Sequence, residues 1–122
     1  MAFERFIKTG RVYRPTASLW SRGQLGFNRG AIQKYNISDY SHAVLFYDKE
    51  NNRIGIKFIT DGSESGAVQL TKGKTGAFIS AKAFLDFYDI NHDKTRKFPL
   101  EYNKEEGLFI ISLQQETVGN GE

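Results

Sequence analysis

From Arg53 to Phe58 every second residue is apolar. Ile54, Ile56 and Phe58 share one side of the chain, and Arg53, Gly55 and Lys57 the other. That period of two predicts a strand with one face on a core. The run 43–48 before it is rich in Val, Leu, Phe and Tyr, and the polar tip 49–52 between them predicts a hairpin. A second hairpin is predicted from 98–102 and 108–113 around the tip 103–107. Shorter strands are predicted at 17–20 and 24–27 about the turn Ser21-Arg22-Gly23, and at 68–70 and 77–79 about the basic turn 72–76. Two short helices complete the pattern. The first, 29–35, has Asn28 as its N-cap, because the side-chain oxygen can take an orphan N–H of the first turn. Asn36 suits the left-handed position after it, and Gly30 weakens it. The second, 81–88, has Ser80 as its predicted cap. It is the stronger helix by composition, with Phe84 and Phe87 turned to the core. A polar loop is predicted over 91–97.

The order of these elements occurs twice. Asn28 and Ser80 lie 52 positions apart, Ile37 and Ile90 53, and Tyr47 and Tyr102 55. The predicted organisation is an N-terminal basic arm or extra strand (1–16), a first repeat (17–59), a polar link (60–66), a second repeat (67–113) and a frayed tail (114–122). A unit of some 45 residues buries little core alone. The expected fold is therefore mostly β with two short helices (α+β), two strand–strand–helix–strand–strand repeats forming one pseudo-two-fold body over 17–113.

Composition narrows the chemistry. The 122 residues hold no Cys, which excludes disulfides, thiolate metal sites and Cys nucleophiles. Ten Phe, six Tyr and one Trp supply apolar volume. No apolar run is long enough to span a membrane, and the charged start is too short for a secretory signal, so the expected location is the cytoplasm. Net charge is only +3, but residues 1–30 carry Arg5, Lys8, Arg11, Arg14, Arg22 and Arg29 against the single acid Glu4. Such a cluster is either a solvated face or the footprint of a polyanion.

The segment Gly23-Gln-Leu-Gly-Phe-Asn-Arg-Gly-Ala-Ile-Gln-Lys-Tyr-Asn-Ile37, followed by Val44-Leu-Phe-Tyr-Asp48, resembles the swapped-hairpin AbrB-like domains, a group that includes the MazE-type antitoxins and the tandem MraZ regulators. Thr75-Gly-Ala-Phe-Ile-Ser-Ala-Lys-Ala-Phe-Leu-Asp-Phe-Tyr-Asp-Ile90 repeats it, and the match covers about three quarters of the chain. Where the family has an apolar residue followed by Pro, this chain has Phe27-Asn28 and Ile79-Ser80. Where it has Gly-Arg, with the arginine helping to contact DNA, this chain has Gly23-Gln24 and Gly76-Ala77. The resemblance implies two units with exchanged hairpins, supplied by one chain or by a homodimer, and a small DNA-binding transcriptional regulator or antitoxin-like protein. Residues 43–90 are also similar to the unit of Whirly- and PUR-type binders of single-stranded nucleic acid.

No catalytic constellation stands out, and an enzyme is not expected. His42 and His92 read as exposed loop residues, with no metal site. The Gly-Lys-Thr string at 73–75 lacks the earlier Gly of a phosphate-binding loop, since Val68 stands there. No cofactor is implied. For nucleic acid the candidate contacts are Arg11, Arg14, Arg22, Arg29, Lys72 and Lys74, with Arg22 and Lys74 at matching turns 52 positions apart. Tyr13 and Trp20 are candidate stacking residues. The alternative is a protein- or ligand-binding module on the same fold, favoured by the missing family arginines and by Asp86 and Asp89 in the second helix.

Overall fold

The computed structural model describes residues 14–74 and 76–116, leaving Arg11 and Tyr13 of the candidate set outside the described residues. Nine strands form one antiparallel sheet: β1 (Thr16–Leu19), β2 (Gln24–Asn28), β3 (His42–Asp48), β4 (Arg53–Ile59), β5 (Val68–Lys72), β6 (Gly76–Ser80), β7 (Arg96–Pro99), β8 (Glu101–Asn103) and β9 (Leu108–Ser112). Two helices are present, α1 (Arg29–Tyr35) and α2 (Lys82–Phe87), with a 3₁₀ turn at Ile37–Asp39.

The spatial order of strands is β7-β1-β2-β6-β5-β3-β4-β9-β8. Its two edge strands, β7 and β8, are neighbours in the chain, separated only by Leu100. The run 96–103 thus pairs with β1 at its start and with β9 at its end, which curls the sheet until it is nearly closed. At the opposite corner β5 does the same. Val68 and Gln69 pair with β3, and Leu70–Lys72 pair with β6. Corners of this kind let strands pass from one layer of a packed sheet to the other.

Side chains alternate across the sheet. Ala17, Leu19, Leu25, Phe27, Ala77 and Ile79 point inward from β1, β2 and β6 and meet Ile54, Ile56, Phe58 and Ile111 from β4 and β9. Phe98 and Leu100 are fully enclosed, and burying side chains of this size contributes about 1.5–3 kcal/mol each. Phe58 packs edge-to-face on Phe27 at 5.2 Å and on Phe109 at 5.3 Å, tying the two layers together.

Helix α1 begins as its capping residue dictates. Asn28 is extended, and its Oδ1 accepts from Ala31 N–H at 2.8 Å. Asn36 ends the helix in a left-handed conformation (φ 54°) and donates its N–H to Ile32 O. Helix α2 departs from expectation at its start. Ser80 is the last residue of β6, paired with Gln24, so its backbone is committed to the sheet and it caps nothing. Ala81 stands at the cap position, its N–H donating to Gly23 O at 2.8 Å. With only six residues, α2 turns one side chain, Leu85, fully inward. Phe84 is half-buried against the core, and Phe87, predicted to face it, is 78% exposed. The helix closes with Asp89 left-handed (φ 54°) and the Ile90 N–H returned to Leu85 O.

Two further expectations are corrected by strand pairing. The predicted loop 91–97 is shorter, because Arg96 and Lys97 already pair with Leu19 and Ser18. The single strand predicted at 98–102 is broken at Leu100, whose N–H still bonds on the β1 side, to Pro15 O, before Glu101 turns to pair with Ile110 of β9.

Candidate nucleic-acid interface

The five strands β7-β1-β2-β6-β5 and the turns that join β1 to β2 and β5 to β6 carry Arg14, Arg22, Arg29, Lys72, Lys74, Arg96 and Lys97, and no Asp or Glu at all (residues 14–29, 68–80 and 96–99). The remaining strands and their tips hold Asp48, Glu50, Glu101, Glu105 and Glu106 beside Lys49, Arg53, Lys57 and Lys104. Modest net charge therefore conceals a set of five strands without acids. The acids between β6 and β7, Asp86, Asp89 and Asp93, lie on α2 and in the segment that follows it, and Asp86 is joined through His92 to the Arg22 turn.

Pairing of β2 with β6 decides where the basic residues fall. Asn28 lies opposite Gly76 and Gln24 opposite Ser80, so the turn bearing Lys74 sits at the Asn28 end and the turn bearing Arg22 at the other. Counting eight residues along the register, the two turns lie about 25 Å apart at roughly 3.3 Å per residue. Arg29 opens α1 immediately after Asn28, and Arg29, Lys72 and Lys74 line one cleft of about 270 Å³ with Gln33 and Ser38. The Lys72 ammonium donates to Ser38 O at 2.8 Å, which holds the side chain over the cleft and leaves two of its three donors. Arg14 belongs to the same end, since its carbonyl accepts from Asn28 Nδ2 at 2.7 Å. Four of the described candidates thus gather at one end of the β2–β6 pair, and Arg22 stands at the other.

A second cleft, of about 340 Å³, adjoins the first and shares Lys72, Gly73, Gly76 and Ala77 with it. Its floor is the outer face of β2 and β6. Trp20, half-buried, extends its benzo ring over Gly26, where a Cβ would stand only 2.5 Å from the ring carbon Cη2. Phe78 meets the same ring edge-to-face at 6.1 Å. Phe78 and Gly26 escaped notice in the sequence, although a glycine inside a strand is a signal of close approach.

The Arg22 end is organised by His92. Its Nδ1 lies 3.1 Å from Ser21 O and its Nε2 3.0 Å from an Asp86 carboxylate oxygen. Both partners only accept, so the two contacts together favour the doubly protonated imidazolium over either neutral tautomer. Its pKa is raised, first by the Asp86 hydrogen bond and then by the Ser21 carbonyl. Asp86 is held below its usual range by hydrogen bonds from Lys82, at 2.7 Å, and from His92. His42 is not the exposed loop residue expected from sequence, since it opens β3; His92 does lie in the loop between α2 and β7, where it clips the β1–β2 turn to α2, and both are half-buried. At the far tip, Asp48 is lowered to about 2 by hydrogen bonds from Asn51 and Arg53.

Among the described residues no group of three or more His, Cys, Asp or Glu side chains could hold a metal ion. Among the described residues, no helix is long and apolar enough to cross a membrane. Compared with family models, curated proteins and solved structures, the chain matches none.

Proposed function

We propose that this chain is a small nucleic-acid-binding protein, of the regulator kind built from AbrB-like units, and not an enzyme. The observation that carries this is the convergence of Arg29, Lys72 and Lys74 on one cleft, beside strands and turns that hold no Asp or Glu. Cations on sheet turns and at a helix start reach phosphates without rearranging a sheet, and phosphate contacts supply affinity and salt dependence whatever the base sequence. Arg14 extends the contact at that end, and Arg22 provides a separate one about 25 Å away by the strand register. The same reading has the protein at work in the cytoplasm.

The body is read as two interleaved units with exchanged hairpins, within one chain. Several features support this. The pairings β1–β7, β2–β6, β3–β5 and β4–β9 each join a strand of residues 17–59 to one of 67–113, while within either segment only consecutive strands pair. Gly26 lies opposite Phe78, its counterpart at an offset of 52, and Gly55 opposite Ile110, its counterpart at 55. A two-fold axis would pass through both pairs. Left-handed residues match as well, Asn36 with Asp89 and Asn52 with Gly107.

Fluorescence anisotropy with labelled duplex and single-stranded DNA at low salt tests the function. Micromolar or tighter binding is expected. Its logarithm should fall with log salt at a slope of about −2 to −3 for three phosphate contacts. Lys72→Glu with Lys74→Glu should lower affinity at least tenfold. Absence of binding to either form at micromolar protein sinks the reading. A second reading, a protein-binding module, is favoured by Phe87 and Tyr88, which stay 78% and 42% exposed on and beside α2, and it would then stand first.

A further inference from the structure

We infer that the Trp20 cleft is a stacking seat for an unpaired base, so that the nucleic acid this protein takes is a single strand. The inference rests on the nucleic-acid reading above and adds strandedness and a contact surface to it.

The geometry combines three requirements. The first is a half-exposed aromatic ring held in place. Trp20 follows β1 directly, and its backbone N–H is tied to Gln24 O at 2.9 Å. The ring is propped by Phe78 on one side and seated in the space that Gly26 leaves by having no side chain. The second is a mostly apolar recess beside the ring, with Lys72 as its one charged lining residue. The cleft of about 340 Å³ is lined by Ser18, Gly26, Gly76 and Phe78 with Trp20, a mostly apolar floor with a hydroxyl for a base edge. The third is cationic continuity. Lys72 belongs to both clefts, and the neighbouring one holds Arg29 and Lys74. A base against Trp20 would have its phosphate run directly into that cationic recess.

Base pairing decides between strands. In a duplex each base already stacks on both faces, and its edge is paired, so nothing is free to enter a recess on a sheet face. A single strand has its bases available, and a stack on Trp accepts any base because each has a π-face. Charge complementarity selects the occupant: no carboxylate lies on the strands or turns that border the recess.

Trp20 is the sole tryptophan, so its own emission reports the stack. The full chain is titrated with a fluorescein-labelled dT oligomer of about 12 nucleotides, within the span that compact single-strand binders cover. An abasic oligomer of equal length and a self-complementary duplex are titrated in parallel. Expected results are Trp20 quenching that saturates together with the anisotropy of the dT oligomer, and weaker, non-quenching binding of the abasic strand and the duplex. Trp20→Ala should weaken dT binding about 5- to 150-fold, the span of one base–aromatic stack, without altering the salt slope. Gly26→Ala should do likewise, because a methyl there displaces the ring while leaving every charge in place. Circular dichroism confirms that each variant is folded, and the wild-type quench needs no variant. Binding of dT without change in Trp20 emission, or equal affinity for the abasic strand or the duplex, overturns the seat and leaves the nucleic-acid reading standing. Failure of every oligomer to bind overturns both.

Discussion

Replacing Asn28 by Ala should remove three hydrogen bonds at one point. Asn28 Oδ1 accepts from Ala31 N–H at 2.8 Å and from Thr16 N–H at 3.0 Å, while Nδ2 donates to Arg14 O at 2.7 Å. One side chain therefore caps α1, ends β2 and anchors the chain entering β1. Loss of an N-cap typically costs about 1 kcal/mol. Each of the other bonds contributes about 0.5–1 kcal/mol, at the lower end because water reaches the Arg14 side. The expected total is about 2–3 kcal/mol, a large share of the roughly 5–15 kcal/mol available to a folded chain. At about 4 °C per kcal/mol for a chain of this length, the midpoint should drop by about 8–12 °C. Asn28→Asp keeps both acceptor bonds and adds a favourable charge at the helix start. It also sets a carboxylate against Arg14 O, so it should cost less than Ala but more than nothing. Urea and thermal unfolding, followed by far-ultraviolet circular dichroism and Trp20 emission, measure both. If Asn28→Ala unfolds within about 0.5 kcal/mol of wild type, the range of a neutral surface change, the three-way anchor is wrong.

Three further outcomes are expected. Leu85→Ala should cost about 2–5 kcal/mol and Phe87→Ala less than about 0.5, since only Leu85 is enclosed; the reverse order in urea melts would mean that α2 is turned about its axis. The pKa of His92 is raised, so its contribution is complete below about pH 6.5 and disappears as pH climbs through the folded value. The urea midpoint should fall as pH rises above about 6.5, less so in His92→Gln, and an NMR titration placing His92 at or below its ordinary value refutes the clip. The lowered groups Asp86 and Asp48 act in the opposite direction, contributing above about pH 3.9 and losing that contribution as pH falls through their folded values, about 2 for Asp48. Gly23→Ala should destabilise by about 1–3 kcal/mol, because Gly23 has φ +88° and a Cβ there would lie 2.7 Å from Lys82 Cβ; an unchanged melting curve would count against the β1–β2 turn.

Local chemistry was legible in the sequence where it acts locally. Asn28 and Asn36 delimit α1 because their own side chain or backbone preference sets the boundary. The β3–β4 hairpin follows from its alternation and tip. What escaped depends on distant pairing. Ser80 has the chemistry of a cap, but Gln24 on β2 claims it for the sheet. Phe87 fits an amphipathic pattern, but a six-residue helix brings only one residue fully inward. At the candidate site the basic residues were visible, whereas their grouping was not. Only the antiparallel register of β2 and β6 sends Arg22 away from Lys74 and brings Trp20 beside Lys72.

The strand order has a consequence for biosynthesis. Every pairing between separate hairpins joins a strand that ends by Ile59 to one that begins at Val68 or later. A nascent chain that has emerged only to Ile59 holds two hairpins with apolar faces and no strands to close them. Translation at about 5–20 residues per second needs roughly 3–10 s to supply the remaining fifty or so. Pairing of such sequence-distant strands is slow in itself, since loop closure must precede any gain from contact. During that interval Leu25, Phe27, Ile54 and Ile56, all enclosed in the finished sheet, are open to other chains. Holding by a chaperone at the ribosome exit should therefore raise the yield of folded protein more than any change to the surface of the completed molecule.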